Sequence, residues 1–365
     1  MGGLYIHIPF CHSKCAYCDF FSTPAHARID EVVDAIGVEW RLRSHELDGL
    51  PHTIYIGGGT PSVLTSAQLE RLCASVPVTD VVEEFTIEVN PEDVTAEKVE
   101  VWRRCGINRV SMGVQSFSDA ELTAVGRRHD AATAVAAYET IRRGGIGNVS
   151  LDLIYGLPGQ TVLSWRRSVD TLMGLHPEHF SAYSLSYEEG TRLTAMLHAG
   201  KLTETPEEDI VQMYAYLCSA AHDAGYEHYE ISNFAMSGRR AVHNSRYWDF
   251  SAYVGLGPSA HSFDGSLRRV NTWRIKDYLE ALAHGKLACE IEEESDTDVL
   301  NDRIMVALRT SDGLDLRTLP TDVAEELRRR ARAFDSAHLT QSTHCLAIPE
   351  SAFLTSDAII REMLI

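Results

Sequence analysis

The sequence predicts an α/β protein: a partial (β/α)6 barrel followed by a small, mostly helical, winged-helix-like C-terminal domain. Three observations point there. Six short β-type runs recur at 4–10, 53–56, 84–89, 109–114, 149–155 and 180–185. Helical patterns lie between them at 29–47, 67–76, 96–105, 131–143 and 163–175, each repeat having about the length of a βαβ crossover unit. Strands alternating with helices build a parallel sheet covered by helices. The third observation is position. Unusual residues gather at the carboxyl ends of the strands: cysteines after the first, Gly57-Gly58-Gly59-Thr60-Pro61 after the second, then Glu88 with Asn90, Gln115 with Ser116, and Asp152. That edge is where parallel α/β folds bind ligands. Six units predict a partial barrel; an open doubly wound sheet is the alternative that spacing leaves open.

Residues 1–235 are expected to form the barrel, 236–290 a connecting segment and 291–365 the C-terminal domain. After the sixth strand, 207–224 reads as a helix, and a segment rich in aromatic and polar residues runs to Trp273. The acidic run from Glu290 to Asp296 reads as a solvated linker or exposed helix edge. Helices, a hairpin at 338–349 and a last short helix complete the chain.

The composition is that of an ordinary globular protein, with 44% hydrophobic and 23% charged residues. No apolar stretch reaches the roughly eighteen residues of a membrane-spanning helix, and the short run before Cys11 lacks the basic flank of a signal peptide. A cytoplasmic location is expected. The net charge of −19 repels a polyanion, so no nucleic-acid partner is expected unless a local basic patch overrides the average field.

Eight cysteines are present, three of them in the spacing Cys11-x3-Cys15-x2-Cys18. Cys73, Cys105, Cys218, Cys289 and Cys345 are scattered and read as small buried hydrophobes. Three thiolates on one loop suit an iron–sulfur cluster or zinc. Structural zinc takes four ligands, and His7 or His12 could complete the set. A cluster takes four cysteines as a rule, so three would leave one iron open to a small molecule.

The cysteine spacing resembles the hallmark of radical S-adenosylmethionine enzymes. Further segments follow in order: Tyr5-Ile6-His7-Ile8-Pro9-Phe10-Cys11, Cys18-Asp19-Phe20, Ile56-Gly57-Gly58-Gly59-Thr60-Pro61-Ser62, Glu88-Val89-Asn90-Pro91, Gly113-Val114-Gln115-Ser116-Phe117 and Asp152-Leu153-Ile154-Tyr155-Gly156-Leu157-Pro158. Together they resemble the HemW branch, relatives of oxygen-independent coproporphyrinogen III dehydrogenase. The resemblance implies a radical S-adenosylmethionine barrel with a [4Fe–4S] cluster on Cys11, Cys15 and Cys18 and S-adenosylmethionine on the fourth iron. Tyr5, Gly58, Gly59 and Thr60 would border the methionine part. Glu88 would accept from the ribose hydroxyls, Gln115 and Asp152 would add polar contacts, and Arg127 would pair with the methionine carboxylate. Without the resemblance, Asp152 reads as a helix cap and Arg127 as a solvated surface residue.

His243-Asn244-Ser245-Arg246-Tyr247-Trp248 fits the HNxxYW pattern of the HemW heme chaperones. The resemblance implies heme, with His243 as axial ligand and Tyr247 and Trp248 over the macrocycle; an aromatic corner around a satisfied histidine is the structural alternative. The dehydrogenase carries one more cysteine two residues after the third, where this chain has Phe20. The expected function is a heme chaperone whose partners are heme and acceptor hemoproteins, reaching membranes only through those acceptors. The alternative is coproporphyrinogen III dehydrogenase. Other motifs fail on context. Gly255-Leu256-Gly257-Pro258-Ser259-Ala260 lacks a βαβ setting, His176 and His179 read as a solvated turn, and Arg328, Arg329 and Arg330 read as a solvated helix face.

Overall fold

Residues 2–365 are described by the computed structural model. The six expected strands are β1 (Gly3–Ile8), β2 (Thr53–Gly58), β3 (Glu84–Val89), β4 (Arg109–Gln115), β5 (Asn148–Tyr155) and β6 (His179–Ser184). Each lies parallel to the next. Helices Ile29–Arg43, Ser66–Ser75, Ala96–Arg104, Ala131–Arg143 and Val162–Leu175 cross between them. Several start at side-chain caps, including Thr65 with Gln68 and Thr161 with Ser164.

The alternation within the strands explains the barrel. Leu4, Ile6 and Ile8, then Ile54 and Ile56, then Phe85, Ile87 and Val89 are sealed under the helices. Their neighbours Tyr5, Tyr55, Glu88, Ser111 and Asp152 line cavities instead. One face of the sheet therefore carries the core, and the other is left polar for a site.

The sheet does not stop at six strands. It continues through β7 (Glu227–Glu230), β8 (Asn233–Ala235), β9 (Tyr253–Leu256), β10 (His261–Phe263), β11 (Arg268–Asn271) and β12 (Cys289–Glu292), in the order β12-β11-β10-β9-β1-β2-β3-β4-β5-β6-β8-β7. β9 lies parallel to β1, so segment 236–290 supplies three strands of the barrel sheet and the start of a fourth. Two sequence expectations are corrected. The start of the acidic run is an edge strand, β12, whose Glu290 and Glu292 charge the open rim of the sheet. His179 opens β6 with no exposed surface, its ring held by the Ser150 and Tyr229 hydroxyls at 2.7 and 2.8 Å, so it is not part of a solvated turn.

A buried polar network pins this extension to the first helix. Arg43 donates to the Gly255 carbonyl at 2.8 Å, to Ser262 at 2.9 Å and to Glu39 at 3.1 Å. Glu39 in turn accepts from the Gly257 N–H, Asn271 and Tyr278 at 2.8, 2.7 and 2.6 Å. The glycine motif serves this packing: a Cβ on Gly255 would stand 2.0 Å from the His261 carbonyl oxygen.

The C-terminal part contains helices Asp296–Ala307, Thr321–Ala331 and Ser356–Met363, with three short strands β13 (Leu314–Asp315), β14 (Thr340–Gln341) and β15 (Cys345–Ala347) in a separate sheet. Ile304, Leu327, Leu346, Phe353 and Ile360 belong to the same hydrophobic cluster as the barrel strands. Among the described residues, no helix is long and apolar enough to cross a membrane.

Candidate functional site

The cysteine loop starts where β1 ends. Its backbone is pinned by Cys11 N–H donating to the Thr23 carbonyl at 3.1 Å and Thr23 N–H donating to Pro9 at 2.8 Å. The Cys11, Cys15 and Cys18 thiols border one cavity of about 490 Å3 at the carboxyl edge of the parallel strands. Both histidines that could have completed a zinc site are committed elsewhere. His7 accepts from the Tyr5 hydroxyl and donates to the Phe21 carbonyl, each at 3.1 Å. His12 faces Asp93 at 3.2 Å. The set is three thiols beside open space, which fits a cluster with one iron left for a small molecule.

Most of the expected nucleotide residues converge on this cavity: Gly58, Gly59 and Thr60 from the end of β2, Glu88 from β3, Gln115 from β4 and Asp152 from β5. Gly59 is required by close approach, since a Cβ there would lie 2.6 Å from the Phe10 carbonyl oxygen. Glu88 accepts from the Tyr55 hydroxyl at 2.7 Å and from the Gly58 N–H at 3.1 Å, leaving further lone pairs for hydroxyl donors. Burial pushes its carboxyl up to about 7 and also raises that of Asp152, which accepts from Ser111 at 3.2 Å. Gln115 has φ 67°, a left-handed conformation held where β4 and β5 shift register. Such strain accompanies functional sites in general.

Arg127 is half-buried and committed to partners rather than solvated. It donates to the Gly113 carbonyl at 2.6 Å and to Asn90 at 2.7 Å, reaches Cys15 Sγ at 3.5 Å, and keeps a buried Nε without a partner. That fixed cation beside the thiols, with a donor to spare, fits the carboxylate of an amino-acid ligand. Asn90, not among the expected ligands, lines the same cavity; its place in Glu88-Val89-Asn90-Pro91 was the available signal.

Tyr5 is the exception to the convergence. It lines a second cavity of about 720 Å3, which shares Glu88, Tyr183 and Ser184 with the first. Asn244, Tyr247 and Trp248 line this larger space, facing Tyr214, Arg309 and Phe353 from other parts of the chain. His243, expected as the heme ligand, does not line it. It is 1% exposed, with Nδ1 2.9 Å from the Thr53 hydroxyl and Nε2 3.1 Å from the Tyr247 hydroxyl, stacked on Tyr55. Burial lowers its pKa to about 3, so the ring is neutral at pH 7. Its helix, Val242–Trp248, is anchored by Glu84, which accepts from the Val242 and His243 N–H groups at 2.9 and 2.8 Å. Tyr214, Arg309 and Phe353 belong to no recognisable motif, so nothing in the sequence marked them.

Three comparisons bear on this geometry. The Radical SAM superfamily description matches residues 5–172. The fold is shared with coproporphyrinogen III oxidase (HemN) from Escherichia coli, a radical SAM enzyme, at a TM-score of 0.83 and 22% identity over 99% of this chain and 89% of that one. Heme chaperone HemW from Bacillus subtilis is 36% identical over 323 residues, 86% of this chain and 85% of the relative. Heme chaperone HemW from Mycobacterium tuberculosis strain H37Rv is 34% identical over 371 residues, 99% and 94%. The class is thus radical S-adenosylmethionine, whose members carry a [4Fe–4S] cluster and S-adenosylmethionine. Within that class, the chain belongs to the HemW family.

Proposed function

We propose that this protein binds heme in the 720 Å3 cavity and hands it to acceptor hemoproteins, with the cluster cavity next door as a cofactor site that exchanges S-adenosylmethionine. The observation that carries the reading is the lining of the larger cavity by Asn244, Tyr247 and Trp248, in contact with the cluster cavity through Glu88. Its volume is that of a small-molecule site, and flat aromatic walls suit a macrocycle. Arg309, held by Asp357 at 2.7 Å on the same wall, would receive a propionate by exchanging that carboxylate for it. The names of the HemW relatives support the same ligand.

In this reading His243 is the iron ligand held in reserve. A neutral imidazole ligates heme iron well, and the hydrogen-bond partner of Nε2 is the Tyr247 hydroxyl. Turning Tyr247 against the macrocycle would free that nitrogen.

On the cofactor side, Cys11, Cys15 and Cys18 would hold the [4Fe–4S] cluster, Arg127 the methionine carboxylate and Glu88 the ribose, with Gly58, Gly59, Thr60, Gln115 and Asp152 shaping the wall. The bound pair supplies reductive cleavage of the sulfonium; the chain's own residues position it and keep water out. Phe20 lines this cavity at the position of the dehydrogenase's additional cysteine.

A paired assay tests the reading. Heme-loaded protein with reduced cluster is mixed with an apo-hemoprotein, and separately with coproporphyrinogen III and S-adenosylmethionine. Heme appearing in the acceptor without protoporphyrinogen formation is the expected result. Protoporphyrinogen formation without heme transfer would replace the chaperone by the dehydrogenase.

A further inference from the structure

Beyond both cavities, three ligand-type side chains meet where the barrel touches the C-terminal part. Cys218 belongs to helix Glu207–Asp223, His228 to β7, and Glu350 to the short helix Glu350–Thr355. The sulfur, one imidazole nitrogen and a carboxylate oxygen all lie within 4.8 Å of one another.

The histidine's hydrogen bonds are the telling feature. Its Nε2 lies 3.2 Å from the Ile231 carbonyl, a pure acceptor, so Nε2 carries the ring proton. Nδ1 then holds the lone pair, yet it faces a Glu350 carboxylate oxygen at 3.1 Å. Two acceptors confront each other there unless a proton or a metal cation lies between them. The ring is sandwiched face-on against Phe234, centroids 3.9 Å apart, and edge-on against Phe353. A histidine that donates its far N–H to a backbone carbonyl is also the usual orientation of a metal-bound imidazole.

A neighbouring hydroxyl adds to this. Tyr214, one helical turn before Cys218, sets its buried hydroxyl beside the Cys218 thiol, with no nitrogen or oxygen partner. It is close enough to Cys218 and Glu350 to feel both charges.

We propose that Cys218, His228 and Glu350 bind one divalent cation of the zinc type, with a fourth position for a water that the Tyr214 hydroxyl meets. Thiolate, imidazole and carboxylate together form a borderline-soft set that zinc accepts, and three protein ligands plus water is its open tetrahedral form. Metal binding takes the place of the Cys218 thiol proton, which is released to solvent. Ligand bonds of about 2.0–2.3 Å require the three atoms to draw slightly closer. Glu350, with a side chain 47% exposed, has the freedom to do so. The cation would tie the C-terminal part to the barrel beside Tyr214 and Phe353, both of which line the larger cavity.

Zinc and iron are measured together on the full-length protein after cluster loading and gel filtration, for the parent, Cys218→Ser, Glu350→Gln and Cys15→Ser. The expected result is about one zinc per chain in the parent, and binding at least about tenfold weaker in Cys218→Ser and Glu350→Gln with iron unchanged. Cobalt in place of zinc should give a thiolate charge-transfer band that Cys218→Ser removes. Glu350→Gln alters a half-exposed side chain, so it remains informative if Cys218→Ser folds poorly. The proposal is overturned if the loaded parent retains no zinc, if Cys218→Ser and Glu350→Gln retain it equally with the parent, or if it is lost only in Cys15→Ser.

Discussion

The Tyr247 hydroxyl lies 3.1 Å from Nε2 of His243, and it is Tyr247 rather than His243 that faces the 720 Å3 cavity. The first residue of the HNxxYW motif therefore stands behind the fifth, with its other nitrogen held by Thr53. Tyr247→Phe should remove the hydrogen bond that ties the ring over Nε2, so that the ring turns aside more readily. Heme association followed by stopped flow is expected to be faster, while urea unfolding registers a loss of about 1–3 kcal/mol for the buried nitrogen left without a partner. Slower association with unchanged stability would mean that the hydroxyl does not cover the ligand.

Glu88→Gln keeps one acceptor oxygen where the carboxylate gives separate oxygens to Tyr55 and Gly58, and it removes the charge from the ribose position. Calorimetric titration of cluster-loaded protein should find S-adenosylmethionine bound about tenfold more weakly, the loss of charge-assisted hydrogen bonding, with iron content unchanged.

Arg43→Met strands the Glu39 carboxylate in the core, since Arg43 is its one cationic hydrogen-bond partner. Removing one member of a buried pair costs about 3–5 kcal/mol. The urea midpoint should fall accordingly, and the added change Glu39→Gln should restore part of it. An unchanged midpoint would show that β9–β11 do not depend on this network.

Glu230 is 1% exposed, and burial pushes its carboxyl from 4.5 up to about 7. A folded pKa above the unfolded one means stability fully present below about pH 4.5 and lost as pH rises through 7. Glu230→Gln does not titrate, so its thermal stability relative to the parent should climb between pH 5 and pH 8, approaching about 3 kcal/mol. A pH-independent difference would place the Glu230 pKa near its unfolded value.

The barrel was legible because each parallel strand writes a strict alternation, as in Leu4-Tyr5-Ile6-His7-Ile8, with one face for the helices and one for the site. The cysteine loop and Gly58-Gly59-Thr60 were legible because chemistry and close approach restrict the residues allowed there. β9 was not, because four residues, Tyr253–Leu256, join β1 from the far end of the chain and no local pattern encodes that pairing. His179 was misread because a polar residue beside proline resembles a turn until Ser150 and Tyr229 satisfy its ring. His243 was legible as a motif member, but its burial depends on Thr53 and Tyr55, which lie almost two hundred residues earlier. The larger cavity was hidden for a related reason. Arg309 and Phe353 reach it through tertiary packing of the C-terminal part, which no sequence spacing records.

The central claim is that heme occupies the cavity walled by Tyr247 and Trp248. An anaerobic heme titration of cluster-loaded protein, followed in the Soret region for the parent, His243→Ala and Trp248→Ala, tests it most directly. The account predicts saturable one-to-one binding in the parent, a shifted Soret band in His243→Ala, and weaker binding with an unshifted band in Trp248→Ala. Binding that is unsaturable in the parent, or identical in all three proteins, would contradict it.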